Sequence, residues 1–166
     1  MEIISIKPVE ENDSEWIKTL LEKRWGSINI VARSKIVNAA RIPRFKAILN
    51  GENVGLITYL IDNGNCEIVT LDSLLKGKGV GSRLIEEIIK IAKDHKCKRV
   101  WLITTNDNIK AQEFYKKRGF SVVAIHKNAM EQSRKLKPKI PLIGKNGIPI
   151  EDEVEMEIRL KTQNRF

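Results

Sequence analysis

The chain has 166 residues, of which 42% are hydrophobic, and it carries a formal net charge of +9. This length and composition predict one compact domain over residues 1–166, with a core that needs neither disulfides nor metals. The basic residues favour anionic partners, but they are scattered and lack the interleaved aromatic residues of a single-strand binder, so nucleic acid is not the expected partner.

No stretch of the chain approaches the roughly 20 consecutive apolar residues that cross a bilayer. The first residues, Met-Glu-Ile-Ile-Ser-Ile-Lys-Pro, also lack the basic start and apolar run of a secretory signal. We therefore expect a cytoplasmic protein without a membrane partner. Cys66 and Cys97 lie in or beside predicted strands, which favours reduced, packed thiols over a disulfide.

The N-terminal part predicts a strand followed by a helix. Residues 2–7 alternate as in a strand. Asn12 and Glu15 have the spacing of a capping box ahead of an amphipathic helix that ends at Gly26. Residues 28–40 are ambiguous, because their first residues favour a strand while the rest fits a short helix or a loop.

The middle of the chain predicts an antiparallel meander of three strands. Asn50-Gly51 and residues 62–65 are turn sequences that separate three apolar runs. The runs cover residues 45–49, 54–61 and 67–71. A helix follows over about 79–95. The apolar strand at 99–104, which comes after this crossover, is expected to run parallel to residues 66–73.

The C-terminal part continues the alternation of helices and strands. Asn108 is a natural N-cap for a helix that runs to Arg118, and Gly119 is a natural end for it. The remaining predicted elements are a strand at 120–125, a short basic helix at 128–137, a long loop at 138–150 and a strand at 154–160. Together these elements predict an α/β fold with a mixed sheet.

A glycine-rich turn, Lys76-Gly77-Lys78-Gly79-Val80-Gly81, joins the strand at 67–71 to the following helix. The N–H groups at a helix start lack partners within the helix, and the helix dipole favours negative charge there, so this turn suits a pyrophosphate. It is not a nucleotide P-loop, because no glycine precedes Lys and then Ser or Thr. It is not a dinucleotide fingerprint either, because Leu84 stands where a third glycine is needed.

The stretch from Glu67 to Phe120 resembles the core of the GNAT superfamily of N-acetyltransferases. The first signature of that superfamily, Gln/Arg-x-x-Gly-x-Gly/Ala at a helix start, matches residues 76–81 except that Lys76 replaces Gln or Arg. This lysine is expected to shift cofactor affinity without abolishing binding. The second signature is an Asn, an Ala three residues on and a Tyr before a Gly-Phe pair. It is met by Asn108, Ala111, Tyr115, Gly119 and Phe120.

The resemblance implies the GNAT fold, a mixed and mostly antiparallel sheet whose central parallel strand pair splays around the cofactor, acetyl-CoA. It implies that the backbone of Leu71 and Ser73 pairs with the pantetheine amides and polarises the thioester carbonyl. The residues that the match implies for pyrophosphate binding are Lys76, Gly77, Lys78, Gly79, Val80, Gly81 and Ser82.

The helix after Asn108 is expected to serve both binding and catalysis. Asn108, Ala111 and Tyr115 lie at i, i+3 and i+7, so they share one helix face. The small Ala111 leaves room for the pantetheine arm, and Asn108 is expected to hydrogen-bond it. By the resemblance, Tyr115 gives a proton to the departing thiolate. The alternative for Tyr115 is a half-buried aromatic residue in a helix stripe.

An amine acceptor is protonated at neutral pH, so it needs a base or a water relay before it attacks the thioester. Glu67 is the candidate base, since some superfamily members carry a catalytic glutamate in this strand and since two-residue alternation places Glu67 on the face of Leu71 and Ser73. Its spacing to the glycine turn is shorter than in those members, and a solvated edge glutamate is the alternative. Asp72, expected on the opposite face, is the second candidate.

These features predict an acetyl-CoA-dependent N-acetyltransferase that moves the acetyl group to a primary amine by direct attack on the thioester. The acceptor is expected to be a small molecule or a peptide, no metal site is expected, and a homodimer is left open. The alternatives are a non-catalytic acyl-CoA-binding regulatory module and a nucleic-acid-binding accessory protein.

The superfamily's acceptor pocket is bordered by regions that here hold Trp25-Gly26, Arg33, Arg134 and the loop at 137–150. Each of these also fits a plain structural role as a helix end, a solvated charge or a core anchor. The acidic residues that follow the loop would either attract a cationic amine or only keep a strand end soluble. They are Glu151, Asp152 and Glu153.

Overall fold

The computed structural model of the chain describes residues 3–161. Their strands are β1 (Ser5–Pro8), β2 (Asn29–Ala32), β3 (Lys35–Asn38), β4 (Arg44–Leu49), β5 (Glu52–Asp62), β6 (Asn65–Ser73), β7 (Arg99–Thr105), β8 (Ser121–His126) and β9 (Glu153–Arg159). Their helices are α1 (Ser14–Trp25), α2 (Val80–Asp94), α3 (Ile109–Lys117) and α4 (Ala129–Leu136), with short 3-10 turns at Glu11–Asp13 and Lys145–Gly147. The described chain divides into two compact units. The first holds residues 3–28, 38–100 and 160–161, and the second holds residues 29–37 and 101–159.

The first unit is built on antiparallel strands in the order β1-β4-β5-β6. Asn50 and Gly51, between β4 and β5, have φ of 51° and 79°, the left-handed conformation expected of this turn pair. The N–H of Lys98 donates to the carbonyl of Gly64 over 2.7 Å, so β7 begins beside the start of β6 and runs parallel to it. The predicted mixed, mostly antiparallel sheet with a parallel strand pair is confirmed.

Helix α2 covers one face of these strands and contacts β1, β4, β5 and β6. Its fully buried apolar side chains are Val80, Leu84, Ile85, Ile88 and Ala92. They recur at helical spacing, so burying this stripe holds the helix against the sheet. The helix approaches β5 closely at Gly55, where an added Cβ would lie only 2.5 Å from Cγ1 of Val80.

The start of α1 differs from its predicted form. The capping box is made by Glu10 and Asp13 around the first 3-10 turn, with the N–H of Glu10 donating to Oδ2 of Asp13 over 2.7 Å. The predicted box of Asn12 and Glu15 is therefore wrong. The reason is tertiary: the buried Nζ of Lys46, on β4, also donates to Oδ2 of Asp13 over 2.7 Å and fixes the cap there.

The second unit contains strands in the order β7-β9-β8, with β8 and β9 antiparallel, and a separate hairpin of β2 and β3 against which α4 packs. The hairpin settles the ambiguity over residues 28–40, where a short helix or loop was one expectation. Its two-residue turn places Arg33 and Ser34 at φ of 50° and 61°. Two successive left-handed residues give the turn type whose twist matches paired strands.

Cys66 and Cys97 are both free and buried, which confirms the prediction of packed thiols. Burial raises the pKa of the Cys66 thiol to about 12 and also raises the pKa of Cys97. Within residues 3–161, no helix combines the length and the apolar composition that crossing a bilayer requires.

Candidate active site

The glycine-rich turn joins β6 to the start of α2 within the first unit. Gly77 and Gly79 have φ of 70° and 76°, and Gly79 is the residue that precedes the first turn of α2. A Cβ added at either glycine would meet no described atom within 4 Å, so both face open space. The N-cap residue Gly79 has no side chain that could cap the helix, and the first turn of α2 holds no acidic residue. The exposed side chains of Lys76, Lys78 and Arg83 add positive charge, so the turn fits an anion.

The backbone N–H groups at the end of β6 alternate in direction. The N–H of Leu74 donates to the carbonyl of Val54 over 2.8 Å, so it points to β5. The N–H of Thr70 also points to β5, because it donates to Oγ1 of Thr58 over 3.1 Å. Successive N–H groups of a strand point to opposite sides. Those of Leu71 and Ser73 therefore point away from β5, which is the direction that the expected pairing with pantetheine requires.

A one-residue bulge interrupts β6 at Val69. The register pairs Thr58 with Thr70 but the next residue, Tyr59, with Ile68, so Val69 has no partner on β5. An extra residue in one strand reverses the alternation of its side chains on the two sides of the bulge.

This bulge overturns the predicted face of Glu67. Glu67 and Asp72 both lie opposite even-numbered residues of β5, whereas Leu71 and Ser73 lie opposite odd-numbered ones. Glu67 therefore shares a face with Asp72 and not with Leu71 and Ser73. The prediction that Glu67 shares the face of Leu71 and Ser73, with Asp72 opposite, is wrong because it counted two-residue alternation across the bulge. The prediction of Glu67 as the base now rests on the resemblance alone, because the shared face was its other ground.

The face that holds Glu67 also holds a buried carboxylate bound to an aromatic ring. The indole Nε1 of Trp25, at the end of α1, donates to Oδ2 of Asp72 over 2.9 Å. Asp72 is buried at 6% exposure, and this burial raises the pKa of its carboxyl, opposed by the Trp25 hydrogen bond and the charge of Arg24. The hydrogen bond fixes the ring of Trp25, which is 37% exposed, beside this end of β6.

The second signature lies on α3, in the second unit. Oδ1 of Asn108 accepts the N–H of Ala111 over 3.2 Å, which confirms Asn108 as the N-cap. The half-buried ring of Tyr115 packs edge to face against Phe114 and Phe120, with centroid distances of 5.3 Å to each. These contacts hold the ring of Tyr115 in one orientation. The binding and proton-transfer roles of these residues stay predictions.

A buried carboxylate holds the tip of the β2–β3 hairpin. Glu153 is only 2% exposed and accepts the backbone N–H of Arg33 over 3.1 Å and its guanidinium over 3.3 Å. The next acidic residue, Asp152, accepts the N–H of Asn128 over 2.9 Å. Glu153 is thus neither a solvated strand end nor an open site for a cationic amine, because Arg33 already binds it.

The loop at 138–150 is fastened at both ends within the second unit. Nη2 of Arg134 donates to the carbonyls of Pro141 and Ile150, and Nδ2 of Asn106 donates to the carbonyl of Pro149 over 2.8 Å. A cavity of about 570 Å³ lies between α4 and this loop. Its lining includes Glu131, Lys135, Leu142, Ile143 and Glu151.

Comparison with known proteins decides the family. Residues 12–120 match the sequence model described as the Acetyltransferase (GNAT) family. The chain belongs to the GNAT family of acetyltransferases. The uncharacterized protein YdhI of Bacillus subtilis is 41% identical to this GNAT chain over 150 residues, which cover 90% of the chain and 94% of YdhI.

Solved structures share the GNAT fold at lower identity. The IAA acetyltransferase of Bacillus cereus has a TM-score of 0.74 at 22% identity, with 95% of this chain and 100% of that one covered. A Bacillus subtilis acetyltransferase in complex with CoA has a TM-score of 0.70 at 22% identity, with 96% and 100% covered. The predicted GNAT fold is therefore confirmed.

The predicted site residues of this GNAT chain fall into two groups. Glu67, Leu71, Ser73 and residues 76–82 lie in the first unit, and the residues on α3 lie in the second. Sequence reasoning missed the Trp25–Asp72 hydrogen bond and the contact of Thr58 with the bulge. Thr58 and Thr70, two polar residues in otherwise apolar strands, were a signal for the contact of Thr58 with the bulge. Nothing in the sequence marks Val69 as the bulged residue.

Proposed function

We propose that the chain transfers the acetyl group of acetyl-CoA to a primary amine of a small molecule or a peptide. One observation carries the proposal. Within a single unit, the strand N–H groups of Leu71 and Ser73 point away from β5, and the strand leads directly into an open glycine turn whose Gly79 is the N-cap of α2. Membership of the GNAT family supports it, as does the CoA bound to the Bacillus subtilis acetyltransferase of the same fold.

The residues of the first unit fit acetyl-CoA. The first-turn N–H groups of α2 and the side chains of Lys76 and Lys78 would hold the pyrophosphate. A side chain at Gly77 or Gly79 would occupy the open space that the pyrophosphate needs. The N–H groups of Leu71 and Ser73 would pair with the pantetheine arm. Bound acetyl-CoA supplies the activated acyl carbon.

The protein's own groups then move protons around that carbon. Glu67 takes one proton from the ammonium group of the acceptor, which frees the nitrogen lone pair to form the new carbon–nitrogen bond. An N–H of β6 polarises the thioester carbonyl, and Tyr115 gives its phenolic proton to sulfur as the carbon–sulfur bond breaks. The second proton of the nitrogen restores the phenol of Tyr115, so one proton is released for each amide formed.

The acceptor is proposed to be a primary amine without a fixed negative group. The face of β6 that holds Glu67 also holds the carboxylate of Asp72 and the partly exposed ring of Trp25. An aromatic ring beside carboxylates favours a cationic amine over an anionic one. This preference is independent of the net positive charge of the chain, whose basic residues are spread over the sequence.

A thiol-release screen tests the proposal. The chain is mixed with acetyl-CoA and a panel of polyamines, amino acids, aminoglycosides and peptides with free N-termini or lysines, and free CoA is measured. Amine-dependent release supports the transferase. Tight binding of acetyl-CoA without release for any amine would instead establish the non-catalytic acyl-CoA-binding module, and failure to bind acetyl-CoA would refute both.

A further inference from the structure

The carboxylate of Asp72, on β6, is bound through only one of its two oxygens within the described chain. Oδ2 accepts the indole N–H of Trp25 over 2.9 Å. Oδ1 makes no hydrogen bond with any residue of the described chain, although Asp72 is only 6% exposed. Oδ1 is also not one of the enclosed polar atoms that lack a partner in residues 3–161, so solvent reaches it. A donor group of a ligand can therefore reach this oxygen.

A single hydrogen bond is little compensation for a buried carboxylate. Burial disfavours the ionised form, and it raises the pKa of Asp72. The charge of Arg24 opposes this effect only from a distance, because Arg24 is exposed and shares no hydrogen bond with Asp72 in residues 3–161. A cationic ligand at Oδ1 would supply the charge and the hydrogen bond that the ionised carboxylate lacks.

The indole ring beside Asp72 adds a second attraction for a cation. Trp25 is the last residue of α1, and the hydrogen bond from its Nε1 fixes the partly exposed ring beside the carboxylate. An aromatic face attracts an ammonium group, and the face of tryptophan does so most strongly. The carbonyl end of a helix carries partial negative charge, so the end of α1 acts in the same sense. An anionic ligand would gain from none of these groups.

The position of Asp72 in β6 connects this pair to the proposed chemistry. Asp72 lies between Leu71 and Ser73, whose N–H groups are proposed to pair with pantetheine, and its side chain is on the face of Glu67. All of these residues belong to the first unit, as does Trp25. An ammonium group has three N–H donors, so one can bind Oδ1 of Asp72 while Glu67 takes the proton of another.

We propose that Oδ1 of Asp72 and the ring of Trp25 form the subsite that binds the ammonium group of the acceptor. The inference rests on the proposed function, which makes the ligand of this subsite the acceptor. It deepens that function, because it assigns the ammonium group to two named side chains and gives Asp72 a binding role instead of that of a base. The class of ligand is a primary alkylammonium, with its charge at Oδ1 and its first methylene groups against the ring.

An NMR titration of the indole N–H signals tests the subsite without turnover. The probe is n-butylammonium at constant ionic strength, 1-butanol is its neutral counterpart, and Trp25→Phe identifies the signal of Trp25 among the three tryptophans. We expect n-butylammonium to shift this signal saturably, and 1-butanol to need a concentration about tenfold higher or more.

Asp72→Asn is the decisive variant in this titration. It keeps an oxygen for the indole N–H but places an amide NH2 where Oδ1 was, so it should weaken the binding of n-butylammonium about tenfold or more. Asp62→Asn is the control, because it removes an exposed carboxylate from the same sheet, and it should stay within about twofold of the parent. Equal affinity of the parent and Asp72→Asn for n-butylammonium, or of the parent for the amine and the alcohol, would overturn the inference.

Steady-state kinetics separates this inference from the proposed function. With an amine that the chain acetylates, Asp72→Asn should raise the KM for the amine about tenfold or more, while kcat and the KM for acetyl-CoA stay within about threefold. Trp25→Leu should raise the KM for the amine about fivefold. An unchanged KM for the amine in Asp72→Asn would refute the subsite and leave the transferase intact. A parent chain that acetylates no amine would refute the proposed function, while the NMR titration would still decide whether Asp72 and Trp25 bind an ammonium group.

Discussion

Gly55 of β5 lies directly beneath the first turn of α2, and replacing it with alanine gives a sharp test of how the glycine turn is supported. An added Cβ would lie 2.5 Å from Cγ1 of Val80 and 3.1 Å from both Cδ1 of Leu84 and the carbonyl oxygen of Asp72. Carbon atoms in optimal contact are about 3.5–4.0 Å apart, so the start of α2 has to move outward by about 1 Å. Overpacking of this kind costs about 1–3 kcal/mol, and we expect Gly55→Ala to lower the free energy of unfolding by about 2 kcal/mol.

The assay is urea unfolding followed by circular dichroism, with a titration of acetyl-CoA into each folded variant. Val80→Ala is the matched variant, because it removes the atom nearest to the new methyl group. We expect the double variant to recover about 1 kcal/mol relative to the sum of the two single changes, and Gly55→Ala alone to weaken acetyl-CoA binding. A Gly55→Ala chain within about 0.5 kcal/mol of the parent, with no coupling to Val80→Ala, would refute the close contact of α2 with β5.

Three further outcomes are expected. Tyr115→Phe should lower kcat by about a hundredfold while leaving acetyl-CoA affinity nearly unchanged in calorimetry, and unaltered turnover would remove Tyr115 from the acid role. Burial raises the pKa of Asp72, so the folded state binds the carboxyl proton more tightly than the unfolded state does. The free energy of unfolding of Asp72→Asn relative to that of the parent should therefore increase as pH rises from about 4 to 7. A difference that does not change with pH would contradict the shift. Arg33→Ala should cost about 1–2 kcal/mol in urea unfolding because it strips the guanidinium from buried Glu153, whereas Arg33→Lys should cost less.

Local signals were enough to predict most of the elements. The Asn50-Gly51 pair favours left-handed backbone and so predicted the β4–β5 hairpin, and the apolar residues at helical spacing predicted the helix α2. Asn108 predicted the start of α3 because its side chain reaches an N–H three residues on. Each of these features is determined by residues close together in the chain.

The features that the sequence did not predict depend on contacts between residues that are far apart in the chain. Arg33 and Ser34 are residue types that rarely adopt positive φ, and a carboxylate at position 153 stabilises their turn. The capping box forms at Glu10 and Asp13 because Lys46 reaches Asp13 from β4. The bulge at Val69 is seen only in the register of β6 against β5, so no count along β6 alone gives the face of Glu67 correctly.

The central claim is that the glycine turn and the start of α2 bind the pyrophosphate of acetyl-CoA, and Gly79→Asn tests it most directly. Asparagine tolerates the left-handed backbone of Gly79, as Asn50 does in this chain. The Cβ of an asparagine at this position would lie more than 4 Å from the described protein atoms around it. Gly51→Asn is the control, because Gly51 has the same conformation and the same open space in the β4–β5 turn.

Calorimetric titration of acetyl-CoA into the parent and both variants gives the answer. We expect Gly79→Asn to fold normally and to bind acetyl-CoA at least about tenfold more weakly, while Gly51→Asn stays within about threefold of the parent. Equal affinity in all three chains would contradict the placement of acetyl-CoA at this turn.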